Sequence, residues 1–307
     1  MAKKDQVKAL LVDLNAGGYG TAGAATTAIR AYDFQPTPME STAVEDDVVQ
    51  PYLGAPDTYL AGRHAKLSFG VRAVGSGTAG LAPAFAGLLR MCGLSEVVTA
   101  DTDVTYEPVS ADFEHGTLHY WRDGKRRVLT GVRGSVALTS EGRGVPFFRF
   151  EMVGLYVPPS EVPTPAVDWS SWPKALVASP LNTNALSIHG HTPILQRLNM
   201  NLGAAPTFIG RVNDERVDIT ARAGSGEALI EEPSLADADY EAAMAAHDRD
   251  VVLYQHGTAA GNIVEVSAPK AQIVGCDEGE DSGVAMQTLR LSLKPDGGND
   301  EFKLVFK

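Results

Sequence analysis

The sequence reads LGAPDTYLAGR at residues 53–63 and LGAAPTFIGR at residues 202–211. Both stretches begin with Leu-Gly-Ala, continue with a threonine followed by an aromatic residue, and end with Gly-Arg, and the second is one residue shorter. Agreement between such distant segments indicates a duplicated unit, and two units of this size predict two related domains rather than a solenoid. The matched positions are Leu53, Gly54, Gly62, Arg63, Leu202, Gly203, Gly210 and Arg211.

The segments that follow the two motifs also correspond. Residues 63–77 and 211–226 alternate polar and apolar side chains and end at Gly-Ser-Gly, as expected of a half-buried strand that runs into a turn. Residues 82–93 and 235–247 are rich in alanine and place apolar residues at helical spacing, which predicts one helix in each copy. We therefore interpret the two motifs as the start of the same strand in two modules.

Strand-like segments fill most of the remaining chain. Residues 116–156 predict a hairpin with its turn at Asp123-Gly124, and residues 250–293 predict a second hairpin with a looser turn. Upstream of the motifs, residues 27–38 and 184–193 form another matching pair. Together these patterns predict a mainly β fold, with a sandwich or barrel-like tube module and one flanking helix, internally duplicated.

The chain divides near its middle. Residues 157–173 are rich in proline, which disfavours helix interiors and central strands and predicts an inter-domain connection. We therefore expect a first module at residues 1–165 with an N-terminal arm and a long acidic loop. A proline-rich linker at residues 166–183 and a second module at residues 184–307 follow.

The bulk composition predicts an acidic, soluble protein. The chain has 307 residues, 44 % of them hydrophobic, which is enough apolar side chain for two cores. Its 26 Lys and Arg against 38 Asp and Glu give a formal net charge of −12, so the chain as a whole repels nucleic-acid phosphates. Two cysteines, Cys92 and Cys276, predict folding in a reducing compartment. The N-terminal segment predicts neither a signal peptide nor a membrane span.

One long segment stands out by its charge. From Ala31 to Gly62 the sequence contains several acidic residues and prolines but no Lys or Arg. We interpret it as a long, acidic, extended loop ahead of the first motif. Such a loop is either a mobile surface loop or a segment that docks onto a neighbouring molecule. The candidate assembly residues within it are Glu40, Glu45, Asp46 and Asp47.

The stretch GYGTAG at Gly18–Gly23 matches the Gly-x-Gly-x-x-Gly pattern of a dinucleotide-binding turn. Such a site requires a helix immediately after the glycines, where the helix N-terminus meets the pyrophosphate. The threonine-rich segment that follows disfavours that helix. A glycine-rich N-terminal arm is the other interpretation.

Two further patterns suggest metal ions. His189 and His191 could contribute two ligands, and residues 276–283 have the composition of a calcium loop without its ordered spacing. Ordinary loop histidines and a solvated acidic turn are the simpler interpretations. Because the sequence also lacks a phosphate-binding loop, a nucleophile elbow and a zinc-protease motif, we expect no enzyme activity, catalytic residue, cofactor or metal ion.

The ordered series of segments resembles the major tail tube protein of bacteriophages with long, non-contractile tails. In the first half the resemblance rests on the acidic segment that runs into LGAPDTYLAGR and on SFGVRAVGSG, APAFAGLLRMCGLSE, VTYEPVS and the hairpin of residues 118–156. In the second half it rests on residues 262–306. The resemblance covers nearly the whole chain, and the order of the pieces carries it rather than any single motif.

This resemblance implies a β-sandwich module whose inner sheets join around a channel and whose loops dock ring onto ring. Single-module members form six-membered rings, so two modules in one chain imply a trimeric ring with pseudo-sixfold symmetry. A hexamer whose second module decorates the outside of the tube is the alternative. The implied location is the virion, after synthesis and assembly in the host cytoplasm, and the implied partners are tail terminator, tape measure and tail tip proteins.

Genomic DNA is expected to pass through the lumen without specific binding, along a negatively charged lining. The expected assembly elements are the N-terminal arm, the loop at residues 35–54 and the C-terminal strand at residues 302–306. Two other functions stay open at this point. One is a tube protein of a contractile tail or a related secretion machine, and the other is a nucleotide-binding enzyme that uses Gly18–Gly23.

Overall fold

The computed structural model describes residues 4–14, 17–170 and 172–307. Strands take up 54 % of the chain and helices 4 %, so the predicted mainly β class is confirmed. Residues 1–3, 15 and 16 of the predicted N-terminal arm and residue 171 of the predicted linker lie outside the described residues.

Strands dominate both halves, and each half has one short helix. The first half contains β1 (Lys8–Leu14), β2 (Thr27–Ala28), β3 (Ala31–Glu45), β4 (Thr58–Arg72), α1 (Ala86–Met91), β5 (Leu94–Thr99), β6 (Asp103–Pro108), β7 (Gly116–Arg122), β8 (Lys125–Glu141), β9 (Phe147–Tyr156) and β10 (Ser160–Glu161). The second half contains β11 (Ala185–Ile188), β12 (Leu195–Asn201), β13 (Ala204–Arg211), β14 (Asp214–Arg222), β15 (Ser225–Glu231), α2 (Tyr240–Ala245), β16 (Arg249–His256), β17 (Val264–Asp281), β18 (Val284–Leu293) and β19 (Lys303–Phe306). β13 and β14 form a separate two-stranded sheet, and the other strands belong to one hydrogen-bonded network.

Two long strands, β8 and β17, organise the two halves. The first part of β8 pairs with β7 and its second part with β9, and the register with β9 shifts between Thr130 and Arg133. β17 pairs in the same way with β16 and then with β18, and its register with β18 shifts between Ile273 and Gly275. Because a bulge bends and twists its strand, each long strand can change direction between its first and its second partner strand.

The strands of the two halves pair in the same order. In the first half the pairings are β1–β7, β7–β8, β8–β9, β9–β4, β4–β3 and β8–β10. In the second half they are β11–β16, β16–β17, β17–β18, β18–β15, β15–β12 and β17–β19. The helix follows β4 in one half and β15 in the other.

This order corrects the alignment of the two sequence motifs. Residues 58–63 begin β4, which is the return leg of the β3–β4 hairpin. Residues 204–211 form β13, which follows the outbound strand β12, and the return leg of that hairpin is β14 and then β15. The prediction that both motifs start the same strand of two modules is therefore wrong. The two short, glycine-containing motifs are similar in sequence although they lie on opposite strands of two hairpins.

β8 joins the two halves edge to edge. Residues 137–141 of β8 pair with residues 197–201 of β12 in an antiparallel ladder. The result is a sheet with strand order β3-β4-β9-β8-β12-β15-β18-β17. The last strand, β19, pairs both with β17 and with β6 of the first half, so hydrogen-bonded ladders connect the halves at two places.

Both helices are shorter than the apolar patterns that predicted them. α1 has six residues, buries Leu88 and Leu89, and stops before Gly93, whose φ of +79° is a conformation that favours glycine. α2 also has six residues, and the side chain of Asp239 caps it by accepting a hydrogen bond from the Ala242 amide.

An aromatic cluster lies between the halves. The ring centroid of Phe85 is 5.7 Å from that of Phe148, 5.7 Å from that of Phe306 and 6.1 Å from that of Trp172. Phe85 and Phe148 belong to the first half, Phe306 to the last strand and Trp172 to the predicted linker at residues 166–183. All four side chains belong to one hydrophobic core. The predicted linker is therefore a packed connection, and the halves share a core.

His256 also ties this connection to the second half. Its buried ring makes a 3.1 Å hydrogen bond through Nδ1 to the Thr183 hydroxyl and a 3.3 Å contact through Nε2 to the Leu176 carbonyl oxygen. Burial lowers the pKa of His256. On β7, burial likewise lowers the pKa of His119, whose Nε2 is 3.0 Å from the Gly23 carbonyl oxygen.

The substitution Phe85→Ala tests the shared core. Loss of a buried phenylalanine costs about 3–5 kcal/mol. Because Phe85 contacts residues of both halves, we expect the whole chain to unfold in a single transition at a lower urea concentration, followed by tryptophan fluorescence and circular dichroism. Leu81→Ala, at a side chain that is 57 % exposed, is the control. Two separate transitions, only one of them shifted, would contradict the shared core.

The buried histidines make stability depend on pH. In the folded protein burial holds the pKa of His256 and of His119 below the ordinary value, whereas the unfolded chain takes up protons on these rings as the pH falls below about 6.5. Because the unfolded state then binds more protons, we expect the urea midpoint to fall between about pH 7 and pH 5. His256→Gln should reduce that slope. A midpoint that stays constant or rises as the pH falls would refute the assignment.

Candidate assembly surfaces

The acidic segment predicted as an extended loop is largely strand. Residues 31–45 form β3, which pairs along its length with β4, and only residues 46–57 connect the two strands. The prediction of a loop over residues 35–54 is therefore corrected. Pro36 and Pro38 led to the prediction of a loop. Both lie on an edge strand, where a proline can stand without removing a hydrogen bond to the neighbouring strand.

The four candidate assembly residues lie at different places on this hairpin. Glu40 lies in β3, 2.6 Å from Lys66 and 3.1 Å from His64, and the hydrogen bond from Lys66 lowers the pKa of its carboxyl group. Glu45 ends β3. The Asp46 amide donates to the Asp57 carbonyl oxygen over 2.8 Å, and exposed Asp47 follows in the connection.

The connection between β3 and β4, residues 46–57, exposes large apolar side chains. Val49 and Leu53 are fully exposed, and Val48 and Tyr52 are mostly exposed. Gly54 of the first motif lies in the same exposed connection, whereas Gly62 and Arg63 lie in β4. Adjacent exposed apolar side chains make this connection a candidate for a surface that binds another molecule.

The second motif lies against the first in space. The ring of Phe208 in β13 stacks on the ring of His64, with centroids 4.7 Å apart and an interplanar angle of 9°. A Cβ atom at Gly62, whose φ is +63°, would be 3.2 Å from the Phe208 ring, and one at Gly210 would be 3.0 Å from it. Glycine at these two positions permits this close approach.

The remaining motif positions serve the hairpin itself. Leu202 is fully buried, in contrast to fully exposed Leu53 at the same position of the first motif. Gly203 has a φ of +68°, and a Cβ atom there would lie 2.0 Å from the Ala223 carbonyl oxygen. Arg211 ends β13 and is exposed.

Polar contacts hold the β13–β14 hairpin on the first half. Arg133 of β8 donates to the Asp218 carboxylate at 2.6 Å and to the Val217 carbonyl oxygen at 2.9 Å. Tyr19 donates its hydroxyl proton to the Gly131 carbonyl oxygen at 2.8 Å and accepts from the Val217 amide at 2.6 Å. The sequence alone does not indicate this cluster, because its members are far apart along the chain; Tyr19 and Val217 are separated by 198 residues.

The predicted terminal assembly elements are packed within the fold. In the N-terminal arm, the Gly23 amide donates to the Thr117 hydroxyl on β7, in addition to the contacts of Tyr19. The C-terminal strand β19 lies between β17 and β6, and Phe306 is buried. Residues 303–306 therefore pair with strands of their own chain, and a role of residues 302–306 in assembly stays a prediction.

Each outer strand of the eight-stranded sheet has an edge that no other strand pairs with in the described part of the chain. We call such an edge open, and α2 packs against β17. Among the described residues, β3 pairs with β4 alone, and residues 273–281 of β17 pair with β18 alone. The acidic segment predicted as a solvated turn is the exposed end of β17, and the turn itself is Ser282-Gly283. Open strand edges present unpaired amide and carbonyl groups, which another chain can bind.

Arginines on the outward face of this sheet carry carboxylate partners. Residues on this face alternate with the buried residues of the core, and three of the arginines are ion-paired. The pairs are Arg149 with Asp33, Arg197 with Glu227, and Arg290 with Asp277. The hydrogen bond from Arg149 lowers the pKa of Asp33.

The glycine-rich stretch Gly18–Gly23 does not have the geometry of a dinucleotide-binding turn. It lies in an irregular segment that leads into β2 and β3, and the first helix in the described part of the chain begins at Ala86. In the described part of the chain, no helix directly follows these glycines, as a dinucleotide-binding turn requires.

The two histidines considered as metal ligands make contacts with the protein itself. Nε2 of His189 lies 2.9 Å from the Ala271 carbonyl oxygen, and the ring of His191 lies against Tyr240. Over residues 4–14, 17–170 and 172–307, no group of three or more His, Cys, Asp or Glu side chains is placed to hold a metal ion.

A mainly apolar cavity of about 460 Å³ lies beside the β8–β12 ladder. Its lining includes Leu186, Ile194 and Leu195. The hydroxyl groups of Ser140 and Tyr254 at this cavity are 2.7 Å apart and bond to each other. Burial raises the pKa of Tyr254.

No model of a known protein family matches the chain, and no curated protein matches it. Within the residues that the structure describes, neither helix has the length and apolar character needed to cross a membrane.

The substitution Phe208→Ala tests how the β13–β14 hairpin is held. It removes the stacking on His64 and some apolar burial, a loss of about 1–2 kcal/mol. We expect faster amide hydrogen exchange within residues 206–219 and little change in the β8–β9 ladder, because the hairpin is a separate sheet. Val212→Ala, at the exposed tip of the same hairpin, is the control. Unchanged exchange in the hairpin would refute the role of this contact.

Proposed function

We propose that the protein is a structural subunit that assembles with copies of itself into stacked rings, as the tail tube protein of a bacteriophage with a long, non-contractile tail. The single observation that carries the proposal is the eight-stranded sheet, whose two halves pair their strands in the same order and which ends in two open edges. The sequence resemblance supports the same function.

The pairing of β8 with β12 inside the chain is the basis for the pairing that we propose between chains. Within the chain, the edge of β8 is covered by β12. β17 is the counterpart of β8 in the order of pairings, and β3 is the counterpart of β12. The open β17 edge of one copy can therefore receive the β3 edge of the next. Pro36 and Pro38 remove two amide donors from β3, which restricts the partners that this edge accepts.

In the proposed assembly each half is one module of a duplicated tube fold, with the division at residues 166–183. A head-to-tail contact of this kind closes into a ring when the rotation per chain divides the full circle. Six modules in a ring then require three chains, so we favour a trimer with pseudo-sixfold symmetry over a hexamer.

The channel for DNA follows from the same arrangement. We place its lining on the outward face of the eight-stranded sheet, opposite the core. Arginines there are ion-paired with carboxylates, and the chain carries a net charge of −12. Such a surface does not grip phosphates, so DNA can pass without specific binding. The location that follows is the virion, with tail terminator, tape measure and tail tip proteins as neighbours of the tube.

Electron microscopy of the concentrated protein tests this proposal, and a variant of the β3–β4 connection sharpens it. We expect the wild type to form tubes. Replacing residues 47–56 by Asn-Gly closes the hairpin with a tight turn and removes Val49 and Leu53, and we expect rings that no longer stack. Val212→Ala, at the tip of the other hairpin, should leave tubes intact. Tubes of normal length from the shortened variant would contradict a stacking role for the connection.

A further inference from the structure

The chain contains two hairpins of similar plan, and only one of them is covered. Near the end of the β13–β14 hairpin, Phe208 pairs across the strands with Val217, and Val217 is fully buried. Near the end of the β3–β4 hairpin, Tyr59 pairs across the strands with Val44. Tyr59 is 59 % exposed and Val44 is 50 % exposed. An aromatic residue and a valine therefore pair in both hairpins, and the valine is buried in one hairpin and half exposed in the other.

The covered hairpin packs on the first half at the bulge of β8. Arg133, which follows the bulge, donates to the Asp218 carboxylate, and Tyr19 bridges Gly131 in the bulge to Val217. The binding surface is thus the region around a β-bulge in the long strand of one half, and the bound element is the hairpin of the other half.

The second half has an uncovered bulge at the corresponding place. β17 shifts register between Ile273 and Gly275, and the residue between them, Val274, is 54 % exposed. This bulge belongs to the long strand that pairs in the second half as β8 does in the first. Arg290 lies over Gly275 of this bulge, whereas Val274 beside it is left half exposed by the chain itself.

Two lysines lie near this bulge, and their charge complements that of the open hairpin. The Lys294 amide donates to the Lys270 carbonyl oxygen. Lys270 precedes buried Ala271 and Lys294 follows buried Leu293, which favours the outward face for both lysines. Neither lysine has a carboxylate within ion-pair distance in the described part of the chain. The hairpin carries Glu45, Asp46, Asp47 and Asp57 and no Lys or Arg between residues 31 and 62.

A chain's own hairpin cannot reach its own β17 bulge. β3 and β17 are the first and last strands of the eight-stranded sheet. Seven strand spacings separate them by about 34 Å. The occupant of the β17 bulge must therefore come from another molecule.

We propose that the face of the β3–β4 hairpin formed by Val44 and Tyr59 packs on the β17 bulge at Val274 of a second copy of this chain. The hairpin carboxylates then lie near Lys270 and Lys294 of that copy. This contact repeats, between chains, the contact that the β13–β14 hairpin makes within the chain. It rests on the proposed function, since only an assembly of copies brings the two surfaces together.

Self-association of matched variants tests the proposal. In Val44→Glu/Tyr59→Glu, two carboxylates replace the apolar pair, and we expect the concentration needed for assembly, measured by sedimentation velocity, to rise at least about tenfold, equivalent to 1.4 kcal/mol. Ala43→Glu/Leu60→Glu is the control, because these residues form the neighbouring cross-strand pair on the opposite face and are also exposed. We expect it to assemble nearly as the wild type does. Melting curves of dilute samples check that each variant folds.

The outcomes separate this inference from the proposed function. A wild type that stays monomeric at high concentration overturns both. Assembly that survives in Val44→Glu/Tyr59→Glu, or that is lost equally in the control, overturns the inference alone.

A disulfide cross-link between chains tests the proposed contact independently of the assembly measurement. In a Cys276→Ser background, we expect Tyr59→Cys protein mixed with Val274→Cys protein to form a disulfide between chains on oxidation, because Cys92 is buried. A mixture in which each variant links only to itself, or in which nothing links under conditions where the wild type assembles, also overturns the inference.

Lys270→Glu/Lys294→Glu should weaken assembly, and adding Asp46→Lys/Asp47→Lys to the same chain should restore part of it at low salt. Assembly unaffected by the lysine reversal would contradict the charge pairing.

Discussion

The ladder between β8 and β12 is the interaction on which the rest of the structure depends. Its five residue pairs turn two half-sheets into one continuous sheet, because backbone amide and carbonyl groups at a strand edge need partners. Once this edge is joined, the shared aromatic core around Phe85 and the packing of the β13–β14 hairpin on β8 follow. The same join leaves β3 and β17 as outer strands, and the proposed assembly uses these two edges.

Much of the fold could be predicted from local patterns. Period-two alternation identified most strands, and alanine-rich apolar segments located both helices, since these signals depend only on neighbouring residues. The pairing of distant strands could not be predicted in this way, and the match between the two motifs led to a wrong alignment. Gly62 is required by the close approach of the Phe208 ring, and Gly203 is required by the close approach of the Ala223 carbonyl oxygen. The glycines of the two similar motifs therefore have different steric reasons.

The candidate surfaces were predicted in part. Charge alone identified the hairpin that carries Asp46 and Asp47, but the prolines of β3 concealed that most of it is an edge strand. No local signal identifies the cluster of Tyr19, Arg133 and Asp218, because its members come together only after the halves join. A comparison of the two halves in the folded structure is what relates the bulge of β8 to the exposed bulge at Val274.

The central claim is that one chain supplies two neighbouring places in a ring. The most direct measurement is the native mass of a single isolated ring. The account predicts three copies of the 32.5 kDa chain and a projection with six similar lobes around the channel. A ring of six chains, or a ring of three chains with only three lobes, would contradict it.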